Sequence, residues 1–266
     1  MNIPNVLSIA GSDPSGGAGL QADLKTFGAL GAYGMAAVTA LTAQNTQGVR
    51  GWEEVSPVFV ADQLCAVFDD VRVDAVKIGM LGSAGVVEAV AEVLARYKPP
   101  CVVLDPVMVA TSGDSLVAAD AVAAMKDCLI PLCDVLTPNI PEGEKLLRKS
   151  VMDMEDAARD LLALGADCVY LKGGHLKGAV ARDVLAFRGG HVEVFEAARL
   201  DVGALHGTGC TLSSALAVFL AKGFPVAEAA RLAKDFVYGA IVAASHVDVG
   251  GGARPLHHFY RVEGRG

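Results

Sequence analysis

The sharpest chemical signal in the chain is His206-Gly207-Thr208-Gly209-Cys210-Thr211, set just ahead of a helical run, LSSALAVFLAKG. Glycines admit the positive-φ turn that points successive backbone N–H groups the same way. At a helix N-terminus those donors add to the helix dipole, and together they favour negative charge. Gly207, Thr208, Gly209 and Cys210 are therefore a candidate anion hole for a transferring phosphoryl group. An ordinary glycine-rich helix start with Cys210 packed inside would read the same, so the hexapeptide alone leaves both readings open.

Four more polar clusters follow strand-like runs. The first, Gly11-Ser12-Asp13-Pro14-Ser15-Gly16-Gly17-Ala18-Gly19, is closed by no Gly-Lys-Ser/Thr and lacks GxGxxG spacing. It is thus neither a Walker A loop nor a dinucleotide fingerprint, and loop punctuation explains its glycines equally well. Asp105-Pro106 follows CVVL, Thr137-Pro138-Asn139 follows DVL with Glu142 three residues on, and Lys172-Gly173-Gly174-His175 follows CVYL. Each is bland alone: Asp-Pro is a common turn, an exposed Lys is solvated, and a Glu opening a helix complements its dipole. Together they are chemically coherent. Asp105 and Glu142 offer the oxygen ligands that Mg²⁺ and its waters prefer. Lys172 is a compact cation for phosphate charge. The 207–210 amides meet the main electrostatic demand of phosphoryl transfer. No carboxylate stands beside the anion hole as a general base; Cys210 occupies that place.

Such groups need a scaffold that brings strand ends to one edge. Apolar runs of strand length at 6–10, 34–42, 49–55, 75–78, 101–104, 135–137 and 168–172 alternate with helical patterns. The helical stretches are 18–30, 56–71, 83–96, 118–129, 141–148, 154–164, 208–222 and 225–245. A hairpin of 184–187 on 192–195 is turned by Arg188-Gly189-Gly190. Strand–helix alternation implies a three-layer α/β/α sandwich whose central sheet is mostly parallel, with right-handed crossovers. Ligands then bind beyond the carboxyl ends of the strands, where the polar clusters fall. No repeat or linker-like break divides the chain, so residues 1–266 read as a single domain. The small residues Val109-Ala110-Thr111-Ser112-Gly113 make that segment a candidate lid.

The formal net charge of −8 argues against a nucleic-acid binder, which needs clustered Lys and Arg. The six cysteines include no CxxC and match no zinc or disulfide framework, so reduced thiols are expected. No signal-peptide pattern opens the sequence, and no uninterrupted apolar stretch reaches about 18 residues. The expectation is a cytoplasmic protein with no membrane partner.

Seven segments carry a resemblance: AGSDPSGGAGLQADLKTF, ALTAQNTQGV, VKIGMLG, VLDPVMVATSG, LTPNIPEGEKLL, LKGGHLKG and HGTGCTLSSALA. In this order and spacing the chain resembles the ribokinase-like superfamily, and within it the hydroxymethylpyrimidine/phosphomethylpyrimidine kinase family, over nearly its whole length. The resemblance implies transfer of the ATP γ-phosphoryl group to 4-amino-5-hydroxymethyl-2-methylpyrimidine and then to its monophosphate. It implies that Gln44 bonds the aminopyrimidine edge, that Met80 and Val107 pack on the ring, and that Gly11 and Ala18 allow close approach. Asp23 is expected near the hydroxymethyl end. Asp105, Asn139, Glu142, Lys172 and Thr208 are expected to serve nucleotide phosphates and Mg²⁺, with 207–210 as the anion hole. In sugar-kinase relatives an Asp at the position of Cys210 is the base. Because a helix N-terminus can lower a thiol pKa, Cys210 is expected to take that role here. A homodimer built through a small flap, formed by the runs at 34–42 and 49–55, is expected as well. The chain departs from the family pattern at Val202-Gly203-Ala204-Leu205 and at Gly250-Gly251-Gly252-Ala253-Arg254-Pro255. Two rival readings remain: a pyridoxal-type kinase and a non-catalytic pyrimidine-binding sensor.

Overall fold

The computed structural model describes residues 3–108, 118–174 and 178–262. The candidate lid and His175 lie outside the described residues. The chain runs β1 (Asn5–Ala10), α1 (Gly19–Ala29), β2 (Tyr33–Val38), β3 (Ala40–Asn45), β4 (Gly48–Glu54) and α2 (Pro57–Phe68). It continues through β5 (Ala75–Ile78), α3 (Ala84–Tyr97), β6 (Val102–Leu104), α4 (Ala119–Ala124), β7 (Val135–Leu136), α5 (Ile140–Leu147) and α6 (Met154–Leu162). Then follow β8 (Cys168–Leu171), β9 (Val180–Phe187), β10 (Val192–Ala198), β11 (Leu205–His206), α7 (Thr208–Ala221), α8 (Val226–Val242) and β12 (Arg254–Pro255).

Eight strands form one sheet in the order β10-β9-β8-β7-β6-β5-β1-β2. From β2 to β8 every neighbouring pair is parallel, and β9 and β10 add an antiparallel edge. Alternation within the strands builds the three layers. Leu7, Ile9, Val76, Ile78 and Leu104 point to one side and pack with α3 residues such as Val86 and Val90. Their neighbours Val6, Ala75, Val103 and Val135 point to the other, against Ala215, Leu216 and Phe219 of α7. Period-2 burial on both faces is what a covered parallel sheet demands.

The expected strand at 34–42 is broken in two. β2 ends at Val38, the buried Thr39 hydroxyl donates to the Met80 carbonyl at 2.6 Å, and the chain leaves the sheet as β3. Neither Gly nor Pro stands within 35–42, so no turn residue marked the break. β3 and β4 pair antiparallel as the flap. The helix expected over 118–129 also changes form: α4 passes into a π-turn at Met125–Leu129 and a 3₁₀ turn at Ile130–Leu132. Pro131, which has no N–H to continue an α-helix, falls in that last turn. Among the described residues no helix is long and apolar enough to cross a membrane. All six cysteines are free thiols.

Candidate active site

The carboxyl ends of β1, β6, β7 and β8 deliver Gly11, Asp105, Asn139 and Lys172 to one cavity of about 370 Å³, closed on one side by the N-terminus of α7. Gly207 stands at the α7 N-cap with φ of 82°, and an added Cβ there would meet the Gly17 carbonyl oxygen at 1.9 Å. Glycine is therefore required both for the turn and for the close approach of the first loop. Thr208, Gly209 and Cys210 open the helix and line the cavity.

Charge is concentrated opposite that turn. Lys172 Nζ donates to Asp105 Oδ1 at 2.7 Å and lies 3.9 Å from Glu142 Oε2. A Cβ on Gly209 would stand 3.1 Å from the same ammonium, so the cation sits directly over the anion turn. Burial would lower the Lys172 pKa, but Asp105 and Glu142 beside it raise it, and the lysine stays charged. Asp105 also accepts from Ser213 Oγ at 3.3 Å and Thr137 Oγ1 at 3.4 Å. Asn139 and Glu142 form a capping box at α5: Asn139 Oδ1 accepts the Glu142 amide at 2.9 Å, and Glu142 Oε2 accepts the Asn139 amide at 2.8 Å. Burial, with Asp105 adding to it, pushes the Glu142 carboxyl up to about 7 against the pull of Lys172. Two carboxylates sharing one lysine leave excess negative charge at the phosphate end. That donor set suits Mg²⁺, which keeps most of its waters and takes only one or two protein carboxylates.

Cys210 lies at the start of α7 in a setting that opposes ionisation. Burial pushes its thiol up to about 11; Lys77 and the Gly19 amide pull it down, but Asp23 and Asp105 oppose them. A thiolate is thus scarce at neutral pH, and a resting-thiolate base is not what this environment makes. Asp23 stands behind this wall of the cavity rather than in its lining. It is fully buried behind the cavity wall, bonded by Lys77 Nζ at 2.8 Å, Ser8 Oγ at 2.6 Å and Ser214 Oγ at 2.7 Å. With its oxygens so engaged it ties β1, β5, α1 and α7 together, and only Lys77 of that group reaches the cavity.

At the flap end, Gln44, Met80, Val107, Gly11 and Ala18 line the same cavity. Gln44 Nε2 is 3.0 Å from His206 Nε2, which is 2.9 Å from Asp13 Oδ2. Asp13 organises the first loop: Oδ1 accepts from the Ser15 amide and hydroxyl, and Oδ2 accepts from the amides of Gly17 and Ala18 at 3.0 and 2.8 Å. Burial would raise its pKa, yet the bonds from His206, Ser15 and the loop amides outweigh that and hold it at about 2. The sequence reading quoted Asp13 and His206 within their motifs but gave them no role. Their 193-residue separation hides the pair from any local pattern.

A second cavity of about 380 Å³ shares Asn139, Lys172, Leu205, Thr208 and Gly209 with the first and extends along Val202, Val237, Tyr238 and Ile241. The two atypical segments meet beside it. β11 pairs with β12, matching Leu205 to Arg254 and His206 to Pro255, and the Ala253 amide reaches the Thr46 carbonyl of the flap at 2.8 Å.

This parallel sheet, with a helix-terminal anion turn facing a buried lysine between carboxylates, has the construction of a small-molecule phosphotransferase. The sequence profile described as Phosphomethylpyrimidine kinase matches residues 13–257. A Rhizobium meliloti (strain 1021) hydroxymethylpyrimidine/phosphomethylpyrimidine kinase is 49% identical over 96% of this chain and 97% of its own. The chain belongs to the phosphomethylpyrimidine kinase family. Among solved structures, the Clostridium difficile 630 phosphomethylpyrimidine kinase superposes with a TM-score of 0.80 at 41% identity, covering 90% of this chain and 99% of its own. The ADP complex of Bacillus subtilis pyridoxal kinase gives 0.87 at 36% identity, covering 97% and 98%.

Proposed function

We propose that this protein transfers the γ-phosphoryl group of ATP to the hydroxymethyl oxygen of 4-amino-5-hydroxymethyl-2-methylpyrimidine and then to the resulting monophosphate, as a step in thiamine biosynthesis. The observation that carries the reading is one continuous cavity. It holds the flap residue Gln44 at one end and the Lys172–Asp105 pair over the 207–210 amides at the other. The Gln44 amide offers a donor and an acceptor to the aminopyrimidine edge, and Met80 and Val107 give the ring an apolar wall. The adjoining cavity, apolar along Val237 and Ile241, suits the nucleoside, and the shared residues Asn139, Lys172 and Thr208 suit its phosphates.

In this reading Lys172 holds the transferring group against the turn, and the amides of 207–210 stabilise the charge spread over its oxygens. Asp105 and Glu142 would hold Mg²⁺, which when bound would neutralise phosphate charge. Catalysis rests on positioning and electrostatics rather than on Cys210 as a base.

The protein is also inferred to be cytoplasmic and a homodimer. Support for the dimer comes from exposed apolar side chains on and beside the flap: Leu41, Trp52, Val58 and Phe59. Light scattering at micromolar concentration should give twice the chain mass, and a monomer mass would count against this.

Incubation with Mg²⁺-ATP and each candidate acceptor, with products resolved by mass, tests the assignment. Successive mono- and diphosphate from the pyrimidine are expected. Binding without turnover would instead support the sensor, and turnover of pyridoxal alone the rival kinase.

A further inference from the structure

Four side chains at the flap end, Gln44, His206, Thr42 and Asp13, share hydrogen bonds in a way that decides the orientation of an amide. Gln44 Nε2 stands 3.0 Å from His206 Nε2, and Gln44 Oε1 stands 3.3 Å from Thr42 Oγ1. The two ends of a Gln amide are alike in shape, so the surrounding hydrogen bonds must assign them. Asp13 is an ionised carboxylate and can only accept. Its Oδ2 lies 2.9 Å from His206 Nε2, so that ring nitrogen carries a proton, in the neutral ring and the imidazolium alike. A protonated nitrogen cannot accept from an NH₂, and the placement above sets N–H against N–H. At the far end the single Thr42 hydroxyl hydrogen is already directed to the Ser12 carbonyl at 2.8 Å. The Thr42 oxygen is therefore an acceptor toward Gln44. Exchanging the amide oxygen and nitrogen removes both conflicts: the oxygen shares the single His206 Nε2–H with Asp13 Oδ2 in a three-centre bond, and the NH₂ donates to the Thr42 oxygen.

We propose that the Asp13–His206 pair is a specificity-determining positioning unit, which locks the Gln44 amide with its oxygen toward His206 and its NH₂ toward Thr42. The consequence rests on the pyrimidine reading above. The locked amide accepts from a 4-amino group and donates to the adjacent ring N3, with the amino group on the His206 side. The 5-hydroxymethyl group, next to the amino group on the ring, is thereby turned toward the 207–210 turn that follows His206. The opposite amide orientation would match the ring only when it is turned over, with its hydroxymethyl group toward the flap. A 4-oxo ring presents an acceptor and an N3–H, the inverse pattern, and faces like groups at both contacts. Neither His206 nor Asp13 need touch the substrate to exert this control.

The test compares the 4-amino ring with its 4-oxo analogue. The unaltered protein should prefer the amino ring by at least about 100-fold, because a site built for one hydrogen-bond pattern leaves polar groups unpaired against the other. His206→Leu should shrink that ratio to under about 10-fold and lower kcat for the amino ring, since the freed amide can meet either pattern. ADP binding and the melting temperature verify that the variant is folded. An unchanged ratio in folded His206→Leu protein overturns the proposal. Independently of any variant, the ¹⁵N shifts of the His206 ring should show a protonated Nε2; an unprotonated Nε2 overturns the proposal. If the unaltered protein binds neither ring, the pyrimidine reading fails, while the ¹⁵N result still decides whether the pair locks the amide.

Discussion

Cys210 sits where two influences oppose each other. A helix N-terminus favours a thiolate, but a setting crowded by Asp23 and Asp105 and shut from water favours the thiol, and the second wins, at about 11. The thiol form is therefore favoured at neutral pH. A loose phosphoryl-transfer transition state asks little of a base, so Cys210→Ala should keep kcat within about 10-fold. Steady-state kinetics check this, and a loss of about 1,000-fold would return the base role to the side chain. Asp13 gives a second prediction. Its carboxyl is held at about 2 in the fold against 3.8 for the free group. Its contribution to stability is therefore complete above pH 3.8 and is lost as pH falls toward 2. Asp13→Asn should be less stable than the unaltered chain at neutral pH, and the gap should narrow over that acid window, as read by denaturant unfolding at each pH.

Among the elements, the α7 start is the most constrained part of the cavity wall. Gly207 combines a φ of 82° with contact against the first loop. Gly207→Ala must displace either the anion turn or the Gly17 carbonyl, so kcat/KM should fall at least about 100-fold even where the protein stays folded. Turnover and a thermal melt measured together separate the two effects. This turn, and the strand ends bearing Asp105, Asn139 and Lys172, were legible in the sequence because apolar runs there stop at polar residues. The sheet and most helices were legible for the same reason of periodicity. Less was legible where partners are far apart along the chain. Lys77 reads as one charge inside a strand, and only the fold brings it to Asp23, 54 residues away, as a buried ion pair. At the break, Thr39 is held through its hydroxyl, amide and carbonyl by Met80, Ala10 and Val55, bonds to distant residues that no propensity records. The departures at 202–205 and 250–255 gained meaning only when β11 and β12 paired.

For the whole molecule, a net negative charge is compatible with a cleft that binds anions through single donors. A net charge of −8 repels polyanions at long range, whereas in the proposed function Lys172, the α7 dipole and its first amides act on phosphate over only a few ångströms. The same fold serves relatives acting on hydroxymethylpyrimidine and on pyridoxal, so the sheet cannot decide between them. The flap end must, and the central claim is that Gln44, held there, selects the aminopyrimidine. The most direct test is kcat/KM for hydroxymethylpyrimidine and for pyridoxal, measured side by side with Mg²⁺-ATP on the same preparation. The account predicts at least about a 100-fold preference for the pyrimidine. Comparable values, or a preference for pyridoxal, would contradict it.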